Sequence, residues 1–207
     1  MLRRQELKRE AQPMTTITAV LLAAGMSRRF GPQNKLLADF HGEPLVRRTA
    51  SAICESKAGH VIAVLGHQAE QIEVALEGLA LKTVLNSSYR DGQVTSVRTG
   101  LSAVGEGALG VMMCLSDQPL LQATDYNALI DAFIDQPDRI AVPFVSGKRG
   151  NPVILPASLR VEILDGGINV GCRSFIDSHP ELVNSVNVTN PAYRTDFDTP
   201  ETFAALH

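Results

Sequence analysis

The sequence predicts an α/β fold in three α/β/α layers, with helices on both faces of a mostly parallel sheet, and two patterns predict it. Four short apolar runs, at residues 17–22, 61–65, 81–85 and 109–115, are rich in branched or long apolar side chains and bounded by turn residues. Runs of that kind read as strands covered on both faces. Between them, residues 44–56, 68–77 and 94–104 space their apolar positions by three to four, close to the helical period. Strand–helix alternation implies crossover connections and parallel neighbours.

In chain order, strand 17–22 opens into a turn of small residues, and helix 44–56 leads to strand 61–65. Helix 68–77 precedes strand 81–85, and helix 94–104 precedes the apolar run that ends at Leu115, a central strand that Pro119 stops. After about residue 140 the pattern changes. Residues 140–145 and 152–155 flank a polar turn at 146–151, the signature of a hairpin or lid. Helices at 158–164 and 172–178, a strand near 182–188 and a short C-terminal helix from Pro200 complete the prediction. The pattern does not give the strand order. In open α/β sheets, however, ligands bind at the carboxyl ends of the strands.

A chain of 207 residues is long enough for one domain with a sizeable core. Residues 1–14 read as an N-terminal arm, charged and without the apolar segment of a secretory signal, and residues 15–207 as the single domain. Patterned sequence begins just after Met14, which could itself serve as the start. A net charge of −3 gives no general pull toward nucleic acid or an anionic membrane. Aromatic residues make up 5% of the chain and tryptophan is absent, which argues against a base-stacking platform. No run approaches the length of a membrane span. Cys54, Cys114 and Cys172 are odd in number and lack C-x-x-C spacing, so neither a disulfide framework nor a zinc site is expected, and a reducing cytoplasm is. The five histidines have no metal-binding spacing, and Ser27 is not in a nucleophile elbow, which removes zinc-hydrolase and triad chemistry.

The most informative stretch runs from Leu21 through Leu22, Ala23, Ala24, Gly25, Met26 and Ser27 to Arg28, Arg29, Phe30 and Gly31, with Lys35 four residues on. A strand that opens into small residues leaves backbone N–H groups free to face an anion, and the adjacent cations hold its charge. The spacing is neither the Walker sequence nor the dinucleotide fingerprint. A solvated loop is the competing explanation for the two arginines. Asp117, just past the apolar run, is placed where catalytic groups collect and can hold Mg2+ through one or two oxygens. Alternatively it caps the next helix, a task open also to Asp125. Asp196 and Asp198 would share one face of a strand, although Thr199 and Pro200 also form a helix start. Asn86 precedes a loop in which Gly92, Thr95 and Ser96 offer donors to a nucleobase edge. Arg98 there either reaches a phosphate or lies on the helix surface. Lys148, Arg149 and Arg173 are candidate anion contacts for a second substrate, or the first two are simply a polar hairpin tip.

Taken in order, Leu-Ala-Ala-Gly-x-Ser-x-Arg-Phe-Gly-x3-Lys, Gln-x-x-Ser-Val-x-x-Gly-Leu, Asp-Gln-Pro, Gly-Asn-Pro-Val and Asp-Phe-Asp-Thr-Pro-Glu resemble the molybdenum-cofactor nucleotidyltransferases, in particular the cytidylyltransferase branch. The resemblance spans about residues 17 to 206. It implies a Rossmann-like nucleotidyltransferase domain that uses Mg2+ and a nucleoside triphosphate. Arg28 and Lys35 would bind the triphosphate and take part in catalysis with Asp117, while Asp117 and Asp198 would hold the metal. Leu22, Ala23, Ala24, Gly25 and Ser27 would line the nucleotide, with Gly92, Ser96 and Arg98 beside base and ribose. Lys148, Asn151 and Arg173 would face a molybdopterin-type substrate, and the product would pass to a molybdoenzyme client. Ala24 stands where guanylyltransferase relatives tend to carry glycine, so CTP is expected over GTP. The chain departs from the family at Asn169, where Gly-Asp-x-Gly-Ala-Arg is usual. Alternatives within reach of the same motifs are transfer to a sugar or isoprenoid phosphate and a non-catalytic delivery factor for the finished cofactor.

Overall fold

A computed structural model of the protein describes residues 16–27, 30, 34–165 and 172–197, and every structural statement below concerns those residues. Residues 1–14, Arg28, Arg29, Asn169, Asp198 and the predicted helix from Pro200 lie outside them. Strand β1 (Thr16–Ala23) is followed by a small antiparallel pair, β2 (Asp39–Phe40) with β3 (Glu43–Pro44), and then by helix α1 (Leu45–Cys54). Next come β4 (His60–Leu65), α2 (Ala69–Ala75), β5 (Lys82–Leu85), α3 (Gln93–Ala103), β6 (Ala108–Leu115) and α4 (Ala123–Ile134). The remaining elements are β7 (Ile140–Val145), β8 (Lys148–Arg149), β9 (Val153–Pro156), α5 (Arg160–Asp165), α6 (Cys172–Ser178) and β10 (Val183–Asn187).

The main sheet runs β10-β7-β9-β6-β1-β4-β5, with β8 folded back on β7. Pairings of β1 with β4 and β6, of β4 with β5, and of β7 with β10 are parallel; β9 is antiparallel to both of its neighbours. Every strand and helix expected before residue 190 is present. The order in the second half was not legible because β9, reached by a short hairpin from β7, inserts between β7 and β6 rather than continuing outward.

Strand β1 shows why three layers form. Its side chains alternate across the sheet, as a strand's must. Ile17, Ala19, Leu21 and Ala23 pack with α1 and α4 on one side, and Val20 and Ala24 pack with α3, α5 and α6 on the other. Helix α3 can lie tight on the sheet because Gly100 faces Val20, where any added Cβ would collide with that side chain. The α1 side holds the largest buried rings, Tyr126, Tyr193, Phe133 and Phe197. No helix among the described residues is long and apolar enough to cross a membrane.

Candidate functional site

Two cavities open side by side at the carboxyl ends of the parallel strands, with Leu22, Gln93 and Leu115 as their common wall. The first, about 500 Å³, is lined by Ala24, Gly25, Met26, Ser27, Lys35, Tyr89, Arg90, Gly92, Ser96, Ser116 and Asp117 among others. The second, about 290 Å³, is lined by Arg149, Gly150, Asn151, Cys172, Arg173 and Asp196 among others.

The small-residue turn after β1 leaves the strand at Ala23 and places Ser27 in the left-handed region, at φ 48°. A serine pays for that conformation in steric strain, and strain of this kind collects at ligand sites. The Ser27 hydroxyl donates to Asn34 Oδ1 at 3.1 Å, and the same oxygen accepts from the Leu36 amide at 3.1 Å. Asn34 thus caps the short 3-10 turn Lys35–Leu37 and closes the loop base, which aims Lys35 across the cavity. Lys35 Nζ meets Asp117 Oδ2 at 2.6 Å, with side-chain exposures of 12% and 17%.

Asp117 follows β6. Its neighbour Ser116 is fixed on two sides: its hydroxyl donates to the Leu22 carbonyl at 2.7 Å, and its carbonyl accepts from the Thr49 hydroxyl at 3.2 Å. Capping of the next helix falls to other residues. Gln122 and Asp125 form a capping box at the start of α4, with Asp125 Oδ2 accepting from the Gln122 amide at 2.9 Å. Asp117 is therefore free of that duty, and its Oδ1 is buried with no hydrogen-bond partner. An unsatisfied buried acceptor costs about 1–3 kcal/mol, more when charged, so a bound donor or cation would recover that loss.

That oxygen fits a hard divalent cation. Mg2+ is typically held by one or two carboxylates plus substrate phosphates rather than by an all-protein cage. No cluster of three His, Cys, Asp or Glu side chains that could hold a metal ion occurs among the described residues. The segment after β10 is drawn to the same place: the Phe197 amide donates to the Asp117 carbonyl at 3.1 Å.

On the far wall, Asn86 organises the loop into α3. Its Nδ2 donates to Thr95 Oγ1 at 2.9 Å and to Ser96 Oγ at 3.0 Å, and its Oδ1 accepts from the Ser88 amide at 3.0 Å. Thr95 is thus committed to the loop itself, whereas Ser96 and Gly92 line the cavity.

Of the residues expected from sequence, Leu22, Ala24, Gly25, Ser27, Lys35, Gly92, Ser96 and Asp117 share the first cavity, and Asn151 and Arg173 the second. Three do not join them. Ala23 turns its side chain to the opposite face of the sheet, fully buried in the α1-side core, because alternation along β1 requires it. Arg98 is exposed on α3 and lines neither cavity. Lys148 is exposed on β8, and its neighbour Arg149 lines the second cavity instead. Arg149 donates to Asp177 Oδ1 at 3.0 Å; burial and nearby Arg173 lower its pKa, while Asp177 opposes them. Tyr89 and Arg90, also in the first cavity, were missed; they lie in the loop that leads from the end of β5 to α3, where the carboxyl-end rule could have found them. Cys172, in the second cavity, has its thiol pKa pushed up to about 12 by burial and is a wall residue rather than a nucleophile.

The family model described as the MobA-like NTP transferase domain matches residues 19–183. A nicotine blue oxidoreductase from Paenarthrobacter nicotinovorans is 28% identical over 193 residues, covering 89% of this chain and 93% of that protein. A probable molybdenum cofactor guanylyltransferase from Natronomonas pharaonis is 27% identical over 192 residues, covering 89% and 93%. In fold, a nucleotidyl transferase from Methanothermobacter thermautotroptrophicus superposes with a TM-score of 0.76 at 21% identity, covering 92% of this chain and 95% of that one.

Proposed function

We propose a reaction from one premise, that this chain belongs to the MobA-like NTP transferase family. The reaction is transfer of a nucleoside monophosphate, CMP from CTP, to the terminal phosphate of a molybdopterin-type acceptor, with release of pyrophosphate. The observation that carries it is the Lys35–Asp117 pair facing a strand-end cavity that shares a wall with a second, arginine-lined one. Identity to relatives does not choose the chemistry, since near-equal values join the chain to a protein named an oxidoreductase and to one named a guanylyltransferase. The charged cavity favours transfer.

In this reading the triphosphate lies against the turn after β1, with Lys35 and Arg28 countering its charge. Asp117, joined by Asp198, would hold Mg2+, which when bound would neutralise phosphate charge and orient the triphosphate. An acceptor phosphate oxygen attacks the α-phosphorus, a new P–O bond forms, the bond to the bridging α–β oxygen breaks, and pyrophosphate leaves with that oxygen. No protein nucleophile is needed. The residues work by positioning and by charge, each such contact being worth on the order of a hundredfold in rate. Lys148, expected from sequence as a second-substrate contact, gives way here to Arg149 beside Asn151 and Arg173.

Ala24 supports the choice of base. It lies on the wall of the first cavity, 2% exposed, where in this reading alanine in place of the glycine that guanylyltransferase relatives tend to carry would favour a pyrimidine. Incubation with each of the four nucleoside triphosphates, Mg2+ and molybdenum cofactor, followed by mass analysis, tests the whole reading. A cytidylylated product is expected; turnover of GTP alone would overturn the base choice, and no product with any triphosphate would overturn the transfer.

A further inference from the structure

The segment from Asn190 to Phe197 is tied to the walls of both cavities. The Tyr193 carbonyl accepts from Gln118 Nε2 at 3.2 Å and from the Asn151 amide at 2.8 Å. Asn151 lies in the turn that lines the second cavity, and Gln118 follows Asp117 directly. Gly150 lets the turn approach: a Cβ there would lie 2.6 Å from the Tyr193 oxygen. The segment is held at two further places. The Tyr193 hydroxyl donates to the Asp125 carbonyl at 2.7 Å and Asn190 Nδ2 to Asp125 Oδ1 at 2.9 Å, while the Phe197 amide donates to the Asp117 carbonyl.

Gln118 is 2% exposed. A carbonyl only accepts, so the NH2 end of the amide must face Tyr193. The other end, Oε1, is then buried with no partner, a desolvation loss that an apolar side chain of similar size would not incur. The amide is costly here, and what it does is hold one carbonyl that also holds the acceptor-side turn.

We infer that Gln118 is a positioning residue: through the Tyr193 carbonyl it sets the arginine-lined cavity in register with the Asp117 carboxylate. The inference rests on the transfer reading above. In-line attack needs the reacting atoms about 3–3.5 Å apart, and a displacement of about 1 Å can cost ~100-fold in rate. Gln118 lines neither cavity, so its loss disturbs alignment and leaves nucleotide binding in place.

The test is Gln118→Met, read three ways. Nucleotide affinity with Mg2+, by calorimetry, stays within about twofold, kcat falls about tenfold or more, and amide hydrogen exchange quickens at Asn151 and Phe197 while β1 and β6 stay protected. Gln118→Asn, one methylene too short for its amide to reach the Tyr193 carbonyl, is read by the same three measurements and decides the matter if Gln118→Met does not fold. Unchanged exchange at Asn151 and Phe197 overturns the tether. Quickened exchange with unchanged kcat overturns the positioning role, as does nucleotide affinity that falls in step with kcat. Absence of pyrophosphate release by the unmutated protein sinks the transfer reading and with it the catalytic role, and amide exchange still decides the tether.

Discussion

The two cavities share a wall and an end of the sheet, yet they are assembled in different ways. The first is made by loops that directly follow β1, β5 and β6, three strands of the parallel half, and each contributes a short stretch of sequence. The second collects residues from β6, α3, the β8 turn, α6 and the chain near Asp196, which meet only because β9 doubles back antiparallel. A cavity made of βα loops is set by the strands beneath it. One made of distant segments depends on cross-links such as the Tyr193 carbonyl. The lesson is one of assembly: the first cavity is fixed by its strands, while the second is fixed by contacts between distant segments.

Substitutions can break or sharpen that contrast. The largest effect is expected from Asp117→Ala, which should cut pyrophosphate release by about a thousandfold or more while the circular dichroism spectrum stays native. Helix capping lies with Gln122 and Asp125, so the fold has no need of it. Next, Lys35→Ala should raise the nucleotide KM by about tenfold to a hundredfold, since it removes a charge that is 12% exposed, lines the first cavity and would face the phosphates in the proposed reaction. Arg149→Gln should do the converse, raising the acceptor KM about tenfold with the nucleotide KM within about twofold, in steady-state assays that vary each substrate in turn. An equal rise in both constants would erase the distinction between the cavities. Ala24→Gly should lower the CTP-to-GTP preference by roughly tenfold, the usual reach of a methyl group in a pocket, as measured by competition between the two triphosphates. Arg98→Ala and Lys148→Ala should each leave both constants within about twofold, because neither side chain lines a cavity.

The same contrast explains what was legible in the sequence. Asp117 could be found because it stands just past a buried apolar strand, and Lys35 because it follows the small-residue turn that leaves another; the sheet brings those strand ends together. Ala23 illustrates the limit within that half. The motif included it, but a period of two sends it to the other face. In the second half the hairpin was visible and its consequence was not, since nothing local to residues 153–156 says that they will run between β7 and β6. Lys148 and Arg149 look alike as a dipeptide, and only the pairing of β8 with β7 decides which of them meets the cavity. Gln118 and Tyr193 are 75 residues apart, and no pattern in either neighbourhood announces the bond between them.

The hydrogen bond from the Phe197 amide to Asp117 has a consequence for the order of events on the ribosome. Chains emerge N-terminus first, and a domain generally folds as one unit. The turn after β1, the loop before α3 and the aspartate are all made well before the last tether exists. A growing chain that has reached Thr189 already contains the residues that line the first cavity, but not the segment whose Phe197 amide bonds to the Asp117 carbonyl. The hydrogen bond at the Asp117 carbonyl can therefore close only after nearly all of the described chain has been made.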